Sequence, residues 1–122
     1  MSLSKTEEQL MELIWEKHPL YFKDLLEAIP EPKPAATTVA TLLKRMQEKG
    51  FVGYTLRGNS REYYPLVKKE NYFKEHVNGL IDNFFSGNPV QFASFFTKSS
   101  GLTARQLEEL KAIVEQEIQK KS

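Results

Sequence analysis

The spacing of apolar residues changes at Gly50, and this change limits which folds the chain can adopt. In segment 36–49 the apolar residues recur at the spacing of an α-helix, and Gly50 stands where a glycine commonly ends a helix. The aromatic and β-branched run 51–57, the turn 58–60 and the strand-like run 61–65 then predict a β-hairpin. A helix followed at once by a hairpin is therefore the central feature of the fold.

Two further helices precede this one. Ser4 and Glu7 have the spacing of a capping box, which predicts that the first helix starts there and runs until Pro19 stops it. A short second helix is expected over 22–28, and three closely spaced prolines separate it from the third. The order helix, helix, helix, hairpin is that of a winged helix-turn-helix DNA-binding domain, which we place at residues 1–67.

The rest of the chain, residues 68–122, is expected to form three more helices and carries six of the eight phenylalanines. So few helices with so many aromatic side chains indicate an apolar surface that needs a partner, and helix-turn-helix proteins usually read two half-sites. We therefore expect a homodimerisation arm, whose candidate interface residues are Phe84, Phe95, Phe96 and Leu110. The alternative is that these residues fold back on the winged domain. The expected fold class is mainly α with a small β-hairpin, a winged helix-turn-helix domain followed by a helical dimerisation arm.

The distribution of charge is more informative than its total. The net charge of +1 does not by itself indicate nucleic-acid binding. Segment 33–61, however, holds six basic residues against the single acid Glu48, a local balance of +5. The six are Lys33, Lys44, Arg45, Lys49, Arg57 and Arg61. This basic segment fits a surface that faces DNA phosphates, and the alternative is an ordinary solvated surface.

The polar residues of the third helix lie in one sector, opposite its apolar residues. The candidate DNA contacts among them are Thr37, Thr38, Thr41, Lys44 and Arg45. Threonine hydroxyl and methyl groups can contact base edges in a major groove, and a Lys or Arg one or two turns later can reach phosphates. In the hairpin, Arg57 and Arg61 flank the tip, where a wing would contact the DNA backbone or the minor groove. We therefore predict that these seven residues bind double-stranded DNA.

Other classes of function find little support in the sequence. Two histidines and no cysteine offer no metal-binding set, and no glycine-rich phosphate loop or convergent carboxylate pair occurs. We therefore expect no catalytic site, metal or cofactor. No apolar run approaches the roughly 20 residues that span a bilayer, so we expect no membrane insertion. The absence of cysteine is compatible with a reducing cytoplasm, which is the location we expect. A winged-helix module that binds other proteins is the main alternative, although its binding face would more often be apolar.

Several segments together resemble one family of bacterial regulators. Residues 37–46 and 48–51 closely resemble the recognition helix of the penicillinase and methicillin-resistance repressor family. The opening residues 3–15, the wing residues 58–66 and the tail 102–110 are also similar to that family, so the resemblance covers nearly the whole chain. It implies a homodimer that represses a resistance or stress operon from a palindromic operator. It also implies a membrane metallopeptidase as signalling partner, and inactivation by cleavage between the last helices.

The sequence departs from the pattern of this family at several points. Ala40 stands where well-studied members often carry a longer polar residue, which leaves the base preference open. Ala35 lacks the hydroxyl group that often caps the recognition helix. The absence of cysteine excludes the copper-sensing tail of one branch. Residues 92–96 do not reproduce the Asn-Phe bond associated with cleavage of the resistance repressors.

Overall fold

The computed structural model describes residues 3–122. Within this range it has six helices and one three-stranded antiparallel sheet. In chain order the elements are α1 (Lys5–Lys17), β1 (Leu20–Tyr21), α2 (Phe22–Ala28), α3 (Ala36–Glu48), β2 (Val52–Arg57), β3 (Ser60–Pro65), α4 (Lys69–Phe84), α5 (Pro89–Ser99) and α6 (Ala104–Lys120). The chain forms two compact units, one that ends at His76 and one that comprises Val77–Ser122. None of the helices in residues 3–122 is long and apolar enough to cross a membrane.

The helices of the first unit begin and end at the signals in the sequence. The Ser4 amide donates to Glu7 Oε1 over 2.8 Å, and the Glu7 amide donates to Ser4 Oγ over 3.2 Å. The predicted capping box of α1 is therefore confirmed. α3 ends at Glu48, and Gly50 follows with a φ of +83°, the left-handed conformation that glycine adopts most readily after a helix.

The wing is a β-hairpin with a third strand beside it. β2 and β3 pair antiparallel as far as Arg57 opposite Ser60, so the turn has two residues, with Gly58 at a φ of +65°. The hairpin was predicted from the sequence, but β1 was not. β1 pairs Leu20 with Tyr63 of β3 and makes β3 the central strand. With only two residues, β1 is too short to show the alternation by which strands are recognised.

The core of the first unit lies between the first three helices and the sheet. Its most deeply buried apolar residues are Leu10, Met11 and Ile14 of α1, Leu25 of α2, Val39, Leu43 and Met46 of α3, and Val52 of β2. Burial of these side chains is the main stabilising contribution to the unit. Because α3 contributes one face to this core, its opposite face is left to solvent.

The first unit also includes the start of α4. Tyr72 is 6% exposed, and its ring centroid lies 5.8 Å from that of Trp15 and 5.7 Å from that of Phe51. The Trp15 indole N–H donates to the carbonyl oxygen of Val67 over 2.8 Å, which fixes the connection before α4. The compact unit therefore extends to His76. The spacing of apolar residues in the sequence places the end of the winged domain earlier, at residue 67.

The second unit contains the rest of α4 together with α5 and α6. The Asn88 side chain caps α5, since its Oδ1 accepts from the amides of Val90 and Gln91 over 2.9 and 3.2 Å. Thr103 and Gln106 form a capping box at the start of α6. Every side chain in residues 77–122 is at least partly exposed. In a single chain, this unit therefore has no fully buried core.

Candidate nucleic-acid interface

α3 presents a polar face to solvent, as predicted from the sequence. Val39, Leu43 and Met46 are buried in the core. The polar residues on the other side are all exposed: Thr37, Thr38, Thr41, Lys44 and Arg45. A helix held by its apolar side against a packed core can enter a major groove with its polar side leading.

The hydroxyl group of Thr41 is already engaged within the helix. Its Oγ1 donates to the carbonyl oxygen of Thr37 over 3.0 Å, a common bond for a threonine inside a helix. Thr41 therefore offers an acceptor oxygen and a methyl group to a ligand, but not its proton. Those groups suit the amino group of adenine or cytosine, or the methyl group of thymine.

The first turn of α3 combines polar side chains with backbone amides. Its N-cap residue, Ala35, forms no side-chain hydrogen bond to that turn, in agreement with the hydroxyl group missing from the sequence. The first N–H groups of a helix carry partial positive charge and have no acceptor within the helix, so they favour an anion. Thr37 and Thr38 lie in the same turn and are exposed beside these amides.

The two wing arginines lie on opposite faces of the hairpin. Arg57 and Arg61 belong to adjacent cross-strand pairs of β2 and β3, and adjacent pairs point to opposite faces of a sheet. The guanidinium carbon of Arg61 lies 4.3 Å from the centre of the Tyr54 ring. Arg57 Nε instead donates to Glu62 Oε1 over 3.3 Å. The structure therefore separates two residues that appear equivalent about the turn in the sequence.

A concavity of about 700 Å³ lies between α3 and the inner face of the wing. The residues that line it are Tyr21, Phe22, Lys23, Ala40, Lys44, Gln47, Tyr54, Asn59, Ser60, Arg61 and Tyr63. Three of them are cations and none is an acid, so the concavity is electropositive. It brings together Lys44 and Arg61, both predicted DNA contacts, and adds Lys23, which the sequence did not single out. Lys23 follows β1, and the pairing of β1 with β3 brings the start of α2 beside the wing.

Two of the six basic residues in segment 33–61 serve the fold instead of the interface. Lys49 Nζ lies 2.8 Å from Glu7 Oε1. Lys33 Nζ donates to the carbonyl oxygens of Leu26 and Glu27 near the end of α2, over 3.1 and 3.3 Å. The charge of Lys49 is therefore paired with a carboxylate, whereas Lys33 stays exposed and keeps its charge. The exposed cations on α3 and on the concave side of the wing are Lys44, Arg45 and Arg61, with Lys23 from α2.

Glu7 links the start of α1 to the end of α3. The Glu7 side chain is 2% exposed, and burial alone would raise the pKa of its carboxyl group. Hydrogen bonds from Lys49 and from the backbone and side chain of Ser4 act in the opposite direction, and the pKa of Glu7 is lowered as a result. The carboxylate is therefore ionised at neutral pH and forms an ion pair that holds the C-terminal end of α3 against α1.

The candidate interface residues of the second unit are mostly exposed in a single chain. Phe84 is 75% exposed, Phe95 and Phe96 are exposed as well, and Leu110 is half-buried. α6 adds four exposed apolar side chains, Leu107, Ile113, Val114 and Ile118. These surfaces are available to a partner, and dimerisation through them stays a prediction.

The chain is similar to known repressors over most of its length. The family model described as penicillinase repressor matches residues 3–116. The methicillin resistance regulatory protein MecI of Staphylococcus aureus is 25% identical over 113 residues, which are 92% of this chain and 92% of that protein. The penicillinase repressor of Bacillus licheniformis is 20% identical over 115 residues, 93% of this chain and 90% of that protein.

A solved structure supports the fold independently. A mutant of S. aureus MepR is similar to this chain with a TM-score of 0.51, over 98% of this chain and 80% of that one. The sequence identity is 14%, so this likeness concerns the fold alone. The family match, in contrast, spans both units of the chain. The chain therefore belongs to the penicillinase repressor family.

Proposed function

We propose that the protein is a transcriptional repressor that binds a palindromic operator as a homodimer and so blocks transcription of a resistance or stress operon. The observation that carries this proposal is the concavity between α3 and the wing, which holds Lys23, Lys44 and Arg61 and no acidic residue. A surface of this charge, next to an exposed polar helix face, fits the two strands of a DNA duplex. The family to which the chain belongs supports the same conclusion.

In the proposed complex, α3 lies in the major groove. Thr37 and Thr38 approach base edges or the adjacent phosphates, and Thr41 presents its oxygen and methyl group to a base. Lys44 and Arg45 lie one to two turns further along the helix and contact phosphates of the groove wall. Lys23 of α2 and Arg61 of the wing, which line the same concavity beside α3, contact the DNA backbone.

Dimerisation would join two such units on one operator. The exposed apolar side chains of the second unit support this step, with Phe84, Phe95, Phe96 and Leu110 as the proposed contacts. In a dimer, binding of the second half-site becomes intramolecular, which raises affinity far above that of one unit. The half-site centres would then lie about one helical turn apart, or a multiple of it.

The loss of the dimer offers a route to induction, with a membrane metallopeptidase as the signalling partner. α5 lies between two segments with left-handed backbone, Ser86–Gly87 and Gly101. Cleavage near these segments would separate α6 from the rest of the chain and remove its share of the interface. Intact mass measured in induced cells tests this route, since derepression with only full-length chain would exclude it.

The experiment that tests the proposed function compares two duplexes. Binding is measured by fluorescence anisotropy on the DNA upstream of the protein's own gene and on a scrambled duplex of equal length. Thr38→Ala and Thr41→Ala should each weaken binding to the upstream DNA by about 1–3 kcal/mol and affect the scrambled duplex much less. Thr6→Ala replaces an exposed threonine of α1 and is the matched control. It should leave the affinity for both duplexes unchanged.

Two outcomes would contradict the proposal. Equal affinity of the wild type for both duplexes would show that the protein does not recognise an operator sequence in that DNA. A wild type that sediments as a monomer at the concentrations at which it binds DNA would contradict the proposed homodimer. A module that binds other proteins is the second candidate, and it would give the first of these outcomes. Within residues 3–122, no three or more histidine, cysteine, aspartate or glutamate side chains are grouped so that they could hold a metal ion.

A further inference from the structure

Three neighbouring side chains form a row on the inner face of the wing, the face that lines the concavity. Tyr63 of β3 is buried, and Tyr54 lies opposite it on β2, with the two ring centroids 6.1 Å apart. The Arg61 guanidinium group lies over the Tyr54 ring, 4.3 Å from its centre. Tyr54 is itself 38% exposed. The row therefore runs from a buried ring, through a partly exposed ring, to an exposed cation.

From this geometry we propose that Tyr54 is a positioning residue for Arg61, and that Arg61, much more than Arg57, is the cation by which the wing contacts a backbone phosphate. The inference rests on the proposed DNA-binding function. It adds a division of labour between the two wing arginines, and a role for a tyrosine that makes no contact with DNA itself.

Stacking on a ring leaves the hydrogen-bond donors of an arginine available. The guanidinium group is planar, and its five N–H bonds lie in that plane. A ring beneath the plane attracts the cation without using those donors. Arg61 can thus remain on Tyr54 while it donates two parallel hydrogen bonds to a phosphate. Because the side chain is held before DNA arrives, less conformational entropy is lost on binding.

Arg57 has a different environment on the outer face of the wing. Its Nε donates to Glu62 Oε1 over 3.3 Å, and the Glu62 side chain is 19% exposed. A carboxylate at that distance offsets the charge that a phosphate would attract. No residue that lines the concavity beside Arg61 is acidic, and Lys44 and Lys23 add positive charge there. The electrostatic difference between the two faces agrees with the difference in stacking.

The test measures affinity for the operator duplex and for a scrambled duplex between about 50 and 200 mM salt. Arg61→Ala should lower the slope of log affinity against log salt by about one unit on both duplexes, and Arg57→Ala should lower it by much less. Arg105→Ala is the matched control, since it removes an exposed arginine of α6 and should leave the slope unchanged.

The role of Tyr54 is tested by a double-mutant cycle. Tyr54→Ile removes the ring but leaves a residue that is equally favoured in strands, and it should weaken binding about two- to fivefold in the wild-type background. The same change should have no effect in the Arg61→Ala background, because no guanidinium group is left to position. Tyr54→Phe keeps the ring and should bind with the affinity of the wild type. Unfolding temperature is measured for each variant, so that a loss of fold is not read as a loss of binding.

Several results would overturn the inference. Equal slope changes for Arg57→Ala and Arg61→Ala would remove the division of labour. Additive effects of Tyr54→Ile and Arg61→Ala would remove the positioning role. If Tyr54→Ile does not fold, Arg61→Lys tests the same contact, because lysine keeps the charge but lacks the planar guanidinium group. Unchanged affinity of Arg61→Lys would then exclude a role for the contact between Arg61 and the Tyr54 ring. A loss confined to the operator duplex would assign Arg61 to base reading. A wild type with no preference for its operator is a separate outcome, which would refute the proposed function. The salt dependence of binding by the two arginine variants would still test the inference about the wing.

Discussion

Lys49→Met should destabilise the first unit by about 3 kcal/mol at neutral pH, because it leaves the Glu7 carboxylate buried without its cation. The Glu7 side chain is 2% exposed, and its Oε1 lies 2.8 Å from Lys49 Nζ. Methionine keeps much of the length of the lysine stem, so the apolar contacts of the side chain are largely retained. The loss therefore measures an uncompensated buried charge more than a packing defect.

Glu7→Gln breaks the same ion pair from the other side and should cost less, about 1 kcal/mol. Glutamine can still form the capping box with Ser4. The Lys49 side chain is 27% exposed, so its ammonium group can be hydrated once the carboxylate is gone. The expected asymmetry between the two variants follows from the unequal burial of the two partners.

The two variants should also differ in their dependence on pH. In the wild type the pKa of Glu7 is lowered, so its stabilising contribution is present above the unfolded pKa of about 4.3 and is lost as the pH falls through the folded value. In Lys49→Met the lowering effect of Lys49 is lost while the effect of burial remains, so the folded pKa of Glu7 should rise relative to the wild type. The deficit of that variant is therefore complete at neutral pH and shrinks as acid protonates Glu7.

Urea unfolding followed by fluorescence measures both effects. Trp15 is the only tryptophan in the sequence, and its indole N–H bonds to Val67 within the first unit. Protein concentration must be the same throughout, because association would add its own free energy to the folded state. Equal losses in the two variants, or a Lys49→Met deficit that stays constant between neutral pH and about pH 4, would refute the view of Glu7 as a buried charge.

Two further predictions concern Tyr72 and the second unit. Burial, together with the hydrogen bond that Tyr72 donates to Glu8 over 2.7 Å, raises the pKa of Tyr72 to about 12. Tyr72→Phe should lower the free energy of unfolding, measured in urea, by about 1–2 kcal/mol. Wild-type stability should decline as the pH rises above the unfolded pKa of about 10, and the variant should not show this decline. Truncation after His76 should leave a folded unit that sediments as a monomer and binds the operator weakly, and truncation after Lys68 should lower the unfolding temperature because it removes Tyr72. A truncated chain that still dimerises would place the interface elsewhere.

The parts of the fold that could be predicted from the sequence are those with local signals. The capping box at Ser4 and the glycine after α3 each depend on a few neighbouring residues, and the structure has them where they were expected. β1 has no such signal, because its existence depends on pairing with Tyr63 more than 40 residues away. The position of Lys23 beside the wing depends on that pairing and was missed for the same reason.

The interface was predicted less completely, since charge and register are not local properties. The sequence shows that Lys49 is basic, but not that it meets a buried carboxylate on α1. A three-residue turn at 58–60 would have placed Arg57 and Arg61 opposite each other on one face. The actual two-residue turn pairs Arg57 with Ser60, and this shift by one position sends the two arginines to opposite faces.

The central position of β3 has a consequence for the DNA itself. β3 is hydrogen-bonded to β1 on one side and to β2 on the other, and the register of β1 reaches Glu62, so only the last pairs of the hairpin project beyond the sheet. A wing anchored in this way holds a fixed distance from α3. In the proposed complex the duplex would then have to adjust its groove width to the protein, at an elastic cost that depends on base sequence. Operator positions that no side chain contacts would consequently affect affinity through the stiffness of their base steps.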